Sequence, residues 1–250
     1  MSRLRSSFDT ALMLLVLLAV GNGLWRYLSP PAVTGEGAEV DATGLVVPAD
    51  HLRNTRGGGT IALIEFSDFE CPFCGRHARE TEPQINAEFV SQKLVTQVFL
   101  SFPLSIHSLA QKASEAAECA GKQNRFWEMH EALFANQGAL SEDAMIRTAQ
   151  QKGLDVSTFE TCLRGGSTAD RVRLDAAEGR RLGVASTPAF FVGTINRDGS
   201  VKIAKQISGA RQFERFRELL GDMVAGRQSL LKLQLPGRQS LIPEPTVSAF

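Results

Sequence analysis

The sequence predicts an α/β fold in which a mixed central sheet is interrupted by an all-helical insertion. Two observations carry this. Strand and helix patterns alternate as β-α-β, give way to helical patterns alone from about His107 to Leu182, and close as α-β-β-α. Cys71-Pro72-Phe73-Cys74 stands where the first strong strand pattern, Ile61 to Phe66, meets the first helical pattern, Phe73 to Val90. The expected division is 1–28 as a signal anchor or signal peptide, 29–43 as a flexible linker, and 44–106 with 167–226 as the α/β domain. Residues 107–166 form the helical insertion and 227–250 a disordered tail.

Arg3 and Arg5 precede an apolar run from Ala11 to Trp25, with Arg26 after it. A positive flank before an apolar stretch reads as a secretory signal or a signal anchor, with its N-terminus in the cytoplasm. The run covers about 22 Å as a helix at ~1.5 Å per residue, against a hydrocarbon core of ~30 Å. Phe8 to Leu28 reaches the length but places Asp9 and Arg26 at the interfaces. Ala19 and Gly21 offer a cleavage site, so the segment is either cut or retained. Both readings export the rest of the chain into a compartment where disulfides persist. The 27 Lys+Arg balance the 27 Asp+Glu, which gives no pull toward nucleic acid.

The linker expectation rests on Pro30-Pro31 and Gly35-Glu36-Gly37, which are aperiodic. Gly44 to Pro48 reads as a short strand and Gly57-Gly58-Gly59 as a turn. Leu94 to Phe102 is the second main strand. Leu109, Ala113, Ala116, Ala117 and Ala120 make one helical stripe; Phe126, Met129, His130 and Leu133 make the next. Ser141 is an N-cap for a third helix, and Val156, Phe159, Cys162 and Leu163 mark a fourth. A polar helix from about Thr168 to Leu182 returns to a strand at Ala189 to Val192. Asp198-Gly199 turns into the partner strand, Val201 to Ile207. Phe213, Phe216, Leu219, Leu220 and Met223 give the last helix its apolar face. Gly226-Arg227-Gln228-Ser229-Leu230 recurs as Gly237-Arg238-Gln239-Ser240-Leu241, a repeat without a physical account.

Two thiols in the first turn of a helix lie on one side and can close a small disulfide ring. The helix N-terminus carries unpaired N–H groups and partial positive charge, which favour a thiolate, the species that attacks disulfides. Cys71 is the candidate nucleophile, open to solvent at the helix start, and Cys74 the more covered resolving thiol. Pro72 suits the first turn, where its missing N–H costs nothing. Zinc would need a second close pair, and Cys119 and Cys162 are far apart in sequence. A c-type haem would need His where Gly75 stands. No metal or cofactor is therefore expected.

Glu65 lies within an otherwise apolar strand, where burial would raise its pKa and let it exchange a proton with Cys74. The alternative is a water-facing strand end. Asp68 and Glu70 read as exposed loop residues that oppose a thiolate by charge. Thr187-Pro188 precedes a strand, and a cis bond there would leave the Thr187 backbone to pair with an extended substrate, making both residues candidates for substrate binding. Cys119 and Cys162 either pair and staple the insertion or stay buried free thiols. His77, six residues after Cys71, reads as too far along the helix to touch it, and His107 stands out by position alone.

Glu65…Cys71-Pro72-Phe73-Cys74, the helical block and Thr187-Pro188 together resemble the DsbA-like branch of the thioredoxin superfamily over about residues 45 to 226. Phe66 to Cys74 and Phe126-Trp127-Glu128-Met129-His130 are similar to that family's segments. The resemblance implies a thioredoxin fold with an inserted helical domain, an oxidoreductase activity, and a cis Pro188 facing Cys71 and Cys74. It also favours the proton role of Glu65 and a Cys119–Cys162 bridge. The implied partners are cysteine-containing exported proteins and a membrane oxidase or reductase, in the periplasm. Phe73 replaces the histidine of the family's best-known oxidant, and Thr187 is similar to the isomerase and reductase relatives. Both imply a less oxidising couple.

Overall fold

In the computed structural model, Ile61–Ser67 is buried at every position because strands flank both of its edges and helices cover both of its faces. That two-sided burial is why the run reads as continuously apolar instead of alternating. The structure describes residues 39–234, all within one compact unit. The expected anchor or signal, most of the linker and the end of the tail, with the second copy of the repeat, lie outside the described residues. No helix among the described residues is long and apolar enough to cross a membrane.

The strands are β1 Glu39–Asp41, β2 Val46–Val47, β3 Thr55–Gly57, β4 Ile61–Ser67, β5 Val95–Ser101, β6 Ala189–Ile195 and β7 Val201–Ser208. Their order is β1-β7-β6-β4-β5-β3, with β2 also paired to β7. β4 and β5 run parallel, and β6 lies antiparallel to β4, placing Glu65 between Phe99 and Phe190. β1 and β3 fall where a linker and a turn were expected. Both are short edge pieces whose extended form comes from pairing with β7 and β5 rather than from their own sequence pattern.

Pro72–Arg76, His77–Thr81, Glu82–Ile85 and Asn86–Val90 follow without a break as one helix, α1, in which α and π turns alternate. Pro83 has no N–H to give to the ladder, and the turn before it widens so that the Glu82 N–H reaches the His77 carbonyl. The insertion holds α2 Ala110–Gly121, α3 Phe126–Ala135, α4 Glu142–Gln151 and α5 Val156–Arg164. Ser141 caps α4 by accepting from the Ala144 N–H at 3.1 Å. Then come α6 Ala169–Arg181 and, after β7, α7 Phe213–Gln234, which continues past the boundary expected at 226.

Three apolar clusters organise the domain. Leu63, Ile85, Phe190, Phe216 and Leu220 fill the space between one sheet face and α1 with α7. Ile64, Phe66, Leu100, Ala176 and Phe191 pack the other face on α6. The third cluster is the core of the insertion, and it includes Phe69, Cys71, Cys74 and Phe99. The helical block is thus joined to the sheet through the CxxC segment itself. Cys119 and Cys162 form a disulfide that ties α2 to α5.

Candidate active site

The chain leaves β4 at Ser67 and reaches α1 within four residues, so the loop must hold its backbone polar groups by side chains from elsewhere. Asp68 does much of this. Its Oδ1 accepts the Glu70 N–H at 2.8 Å, and its Oδ2 accepts the Leu104 N–H at 2.8 Å. The His107 Nδ1 lies 2.7 Å from the same Oδ2. Glu70 accepts the Leu109 N–H. Gln137, two residues past the end of α3, donates from Nε2 to the carbonyls of Phe69 and Cys71 at 2.9 and 2.7 Å. Asp68 is fully buried and Glu70 half-buried, which corrects the expectation that both are exposed. Their carboxylates are spent on backbone N–H groups of the 104–109 segment.

Cys71 occupies the N-cap of α1, and Pro72 its first helical position. The two cysteines are free thiols. Cys71 is 4% exposed, more covered than its place at a helix start suggested, because the Pro188 loop closes over it. Its Sγ donates to the Thr187 carbonyl at 3.5 Å, and the Thr187–Pro188 bond is cis. The Cys71 thiol is lowered from its ordinary 9.0 to about 5. The facing Cys74 thiol does most of this against the cost of burial, helped by Thr187 and the backbone N–H groups of Cys74 and Phe73. Cys74, fully buried, is raised well above its ordinary value by burial and by Cys71. No charged side chain carries the lowering of Cys71. Phe73 points outward, 56% exposed, with the Arg76 guanidinium 5.4 Å from its ring centre.

Glu65 is 1% exposed on the α1 side of β4. Burial and the nearby Glu82 push its carboxyl from 4.5 up to about 8. Neither carboxyl oxygen has a hydrogen-bond partner, and His77 Nε2 lies 3.7 Å from Oε2. Glu82 is itself raised to about 7 by burial, with Arg56 and Gln97 opposing. Arg56 reaches Glu82 at 2.5 Å and stacks 4.0 Å over the Trp127 ring. Burial lowers His107, but Asp68 outweighs it, with Cys71 and Glu70 adding to a net upward shift.

Thus Cys71, Cys74, Thr187 and Pro188 meet at one place, with Glu65 beneath α1 at the position of His77. Asp68, His107, Gln137 and His77 are the residues whose part the sequence reading missed or undervalued. The only local signal was the pairing of Asp68 with Glu70 next to the CxxC; Gln137 offered none. Among the described residues no group of side chains could hold a metal ion.

Residues 60–210 match the family described as Thioredoxin. A Na(+)/H(+) antiporter NhaA 3 of Salinispora tropica is 35% identical over 172 residues, covering 67% of this chain and 26% of that protein. An NhaA 1 of Salinispora arenicola is 32% identical over 212 residues, covering 79% of this chain and 32% of that protein. The chain therefore spans only about a quarter to a third of the antiporters it matches. Among solved structures, alpha-DsbA1 of Wolbachia pipientis superposes with a TM-score of 0.62 at 22% identity, over 73% of this chain and 96% of that one. BdbD of Bacillus subtilis superposes with a TM-score of 0.62 at 19% identity, over 74% of this chain and 98% of that one. At these identities the likeness concerns the fold.

Proposed function

The chain belongs to the thioredoxin family, and from that premise we propose that it is an exported thiol–disulfide oxidoreductase that forms disulfides in other exported proteins. The observation that carries this reading is the opposed pair in one helical turn: Cys71 lowered to about 5 and Cys74 raised well above 9.0. A nucleophile with a low pKa is also a good leaving group, and stabilising it stabilises the reduced enzyme, which makes the disulfide form oxidising.

In the proposed cycle a substrate thiolate attacks Cys71 of the Cys71–Cys74 disulfide. The S–S electron pair goes to Cys74, which takes a proton from Glu65. A second substrate thiolate then attacks the substrate sulfur of the mixed disulfide and releases Cys71 as a thiolate. Thr187 and Pro188 bind the extended substrate chain beside Cys71, in the manner of strand pairing. A membrane oxidase takes the two electrons and restores the disulfide. Residues 1–28 hold the protein at the outer face of the inner membrane, in the periplasm.

A reductase or isomerase in the same compartment is the second reading, favoured by Thr187 before Pro188 and by the uncharged Phe73. The equilibrium of the Cys71–Cys74 pair against a glutathione series separates the two. A potential well above about −270 mV upholds the disulfide donor, and one near that value makes the protein a reductant or isomerase. A tethered chaperone without redox chemistry is a third reading, and it requires that Cys71→Ser leave activity in cells unchanged.

A further inference from the structure

The loop from Asp68 to Cys71 runs beside the 104–109 segment, and Asp68 ties the two together. Its backbone carbonyl accepts the Cys71 N–H at 3.1 Å. Its buried carboxylate accepts the Leu104 N–H at 2.8 Å and meets His107 Nδ1 at 2.7 Å. One residue thus fixes the backbone of the nucleophile and the imidazole together. The carboxylate already accepts the N–H groups of Glu70 and Leu104, so it meets His107 as an acceptor too. The proton therefore sits on Nδ1, and Nε2 carries the lone pair. Nε2 has no hydrogen-bond partner among the described residues and is not shut off from water. The His107 side chain is 18% exposed, between the exposed residues Ile106 and Ser108.

We propose that His107, oriented by Asp68, is the base that takes the proton of a substrate thiol as that thiol attacks at Cys71. The inference rests on the disulfide-exchange reading above and names the residue that activates its substrate. An ordinary cysteine thiol, with a pKa of about 8.5, is only a few per cent ionised at neutral pH, so a base at the point of attack raises the supply of thiolate. In the oxidised enzyme the substrate S–H gives its proton to Nε2, and its sulfur attacks Cys71 Sγ. The Cys71–Cys74 bond breaks, its electron pair goes to Cys74, and Cys74 takes the Glu65 proton. The imidazolium then gives its proton to water. A second substrate thiol also gives its proton to Nε2, and its sulfur attacks the substrate sulfur of the mixed disulfide. The electron pair leaves on Cys71 as a thiolate. Two electrons have passed from the substrate thiols to the Cys71–Cys74 disulfide, which is the oxidant.

A general base works best with a pKa near the working pH. Burial lowers His107, but Asp68, with Cys71 and Glu70, outweighs it and holds the ring above its ordinary 6.5. Asp68, Glu70 and Cys71 are the charged groups that act on this ring, and Cys71 acts only as a thiolate. In the disulfide form that charge is absent, so the ring is more readily neutral when a thiol arrives. When Cys71 leaves as a thiolate, its charge favours the imidazolium. The other histidines are poorer candidates. His77 and His130 have both ring nitrogens buried, and their carboxylates stand 3.7 and 3.9 Å away, too far for a hydrogen bond. His51 lies beside α6, where its carbonyl accepts from Arg171. Phe73, between the two cysteines, has no proton to exchange.

The test follows reduction of the full chain, with Cys71 and Cys74 oxidised, by excess 2-mercaptoethanol, an uncharged thiol. Rapid quenching and alkylation count the thiols formed between about pH 6 and 9.5. Wild type is compared with His107→Gln, whose amide can still donate to Asp68. The variant should be slower by at least about tenfold at about pH 6.5, and the two rates should meet at about pH 9.5, where the thiol ionises without help. A slowing of about threefold or more at the lower pH that shrinks toward the higher one upholds the base. A smaller slowing, or one that does not shrink as pH rises, overturns it, because a displaced loop slows the reaction at every pH alike. A wild-type disulfide that the thiol fails to open at any pH sinks the exchange reading itself; a wild type that reacts, with His107→Gln equal to it throughout, sinks only the base. Should His107→Gln not fold, His107→Asn replaces it.

Discussion

Glu65→Gln should abolish the pH dependence that this carboxyl imposes on stability. An acid whose folded pKa is raised holds its proton more tightly when folded than when unfolded. Its contribution therefore turns unfavourable as pH rises from the unfolded value through the folded one. For Glu65 that window runs from 4.5 to about 8. At about 1.4 kcal/mol per pH unit, the full cost above the window is on the order of 5 kcal/mol. Part of that cost is repulsion with Glu82, which the same substitution relieves. A buried amide brings its own cost of about 1–3 kcal/mol for unpaired N–H groups, equal at all pH values, so the informative quantity is a difference. Urea unfolding of the reduced protein, wild type and Glu65→Gln, at pH 5 and pH 9 measures it. The variant should gain about 3–5 kcal/mol on the wild type between the two conditions. An equal stability difference at both pH values would refute the burial argument, because a carboxyl that faces water carries no such penalty.

Other outcomes follow from the same geometry. Thiolate absorbance of the reduced chain should rise with a midpoint near pH 5 from Cys71, with Cys74 silent until well above 9.0; a single midpoint above pH 8 contradicts the pairing of the two thiols. Replacing Cys119 and Cys162 together by Ala opens a loop closed over a separation of 43 residues, a loss of about 3–4 kcal/mol by chain entropy. Urea unfolding that shows less than about 1 kcal/mol would assign the stability of the insertion to its apolar core alone. Asp68→Ala frees the Glu70 and Leu104 N–H groups and removes the partner of His107. His107 should then titrate at lower pH by NMR, and an unmoved titration would mean that Asp68 does not set it.

What the residues alone determined is local. Alternation and apolar runs located β4, β5, β6 and β7. The Cys71-Pro72 pair marked the start of α1, and the 3.6-residue stripes separated the insertion from the sheet. These features are legible because each is decided within one segment by the face it must bury. The edge strands β1 and β3 were not legible, since their conformation is lent by a partner strand far away in sequence. Only the tertiary structure decided that Asp68 and Glu70 are taken up by the 104–109 segment, and that Gln137 clamps the carbonyls of Phe69 and Cys71 from just past the end of α3. It likewise decided that His77 stands beside Glu65. Each of these contacts joins an isolated polar side chain to a partner on another element, and a contact of that kind has no period or local signature. Its energy depends on burial and on who arrives opposite, which packing settles after the elements have formed.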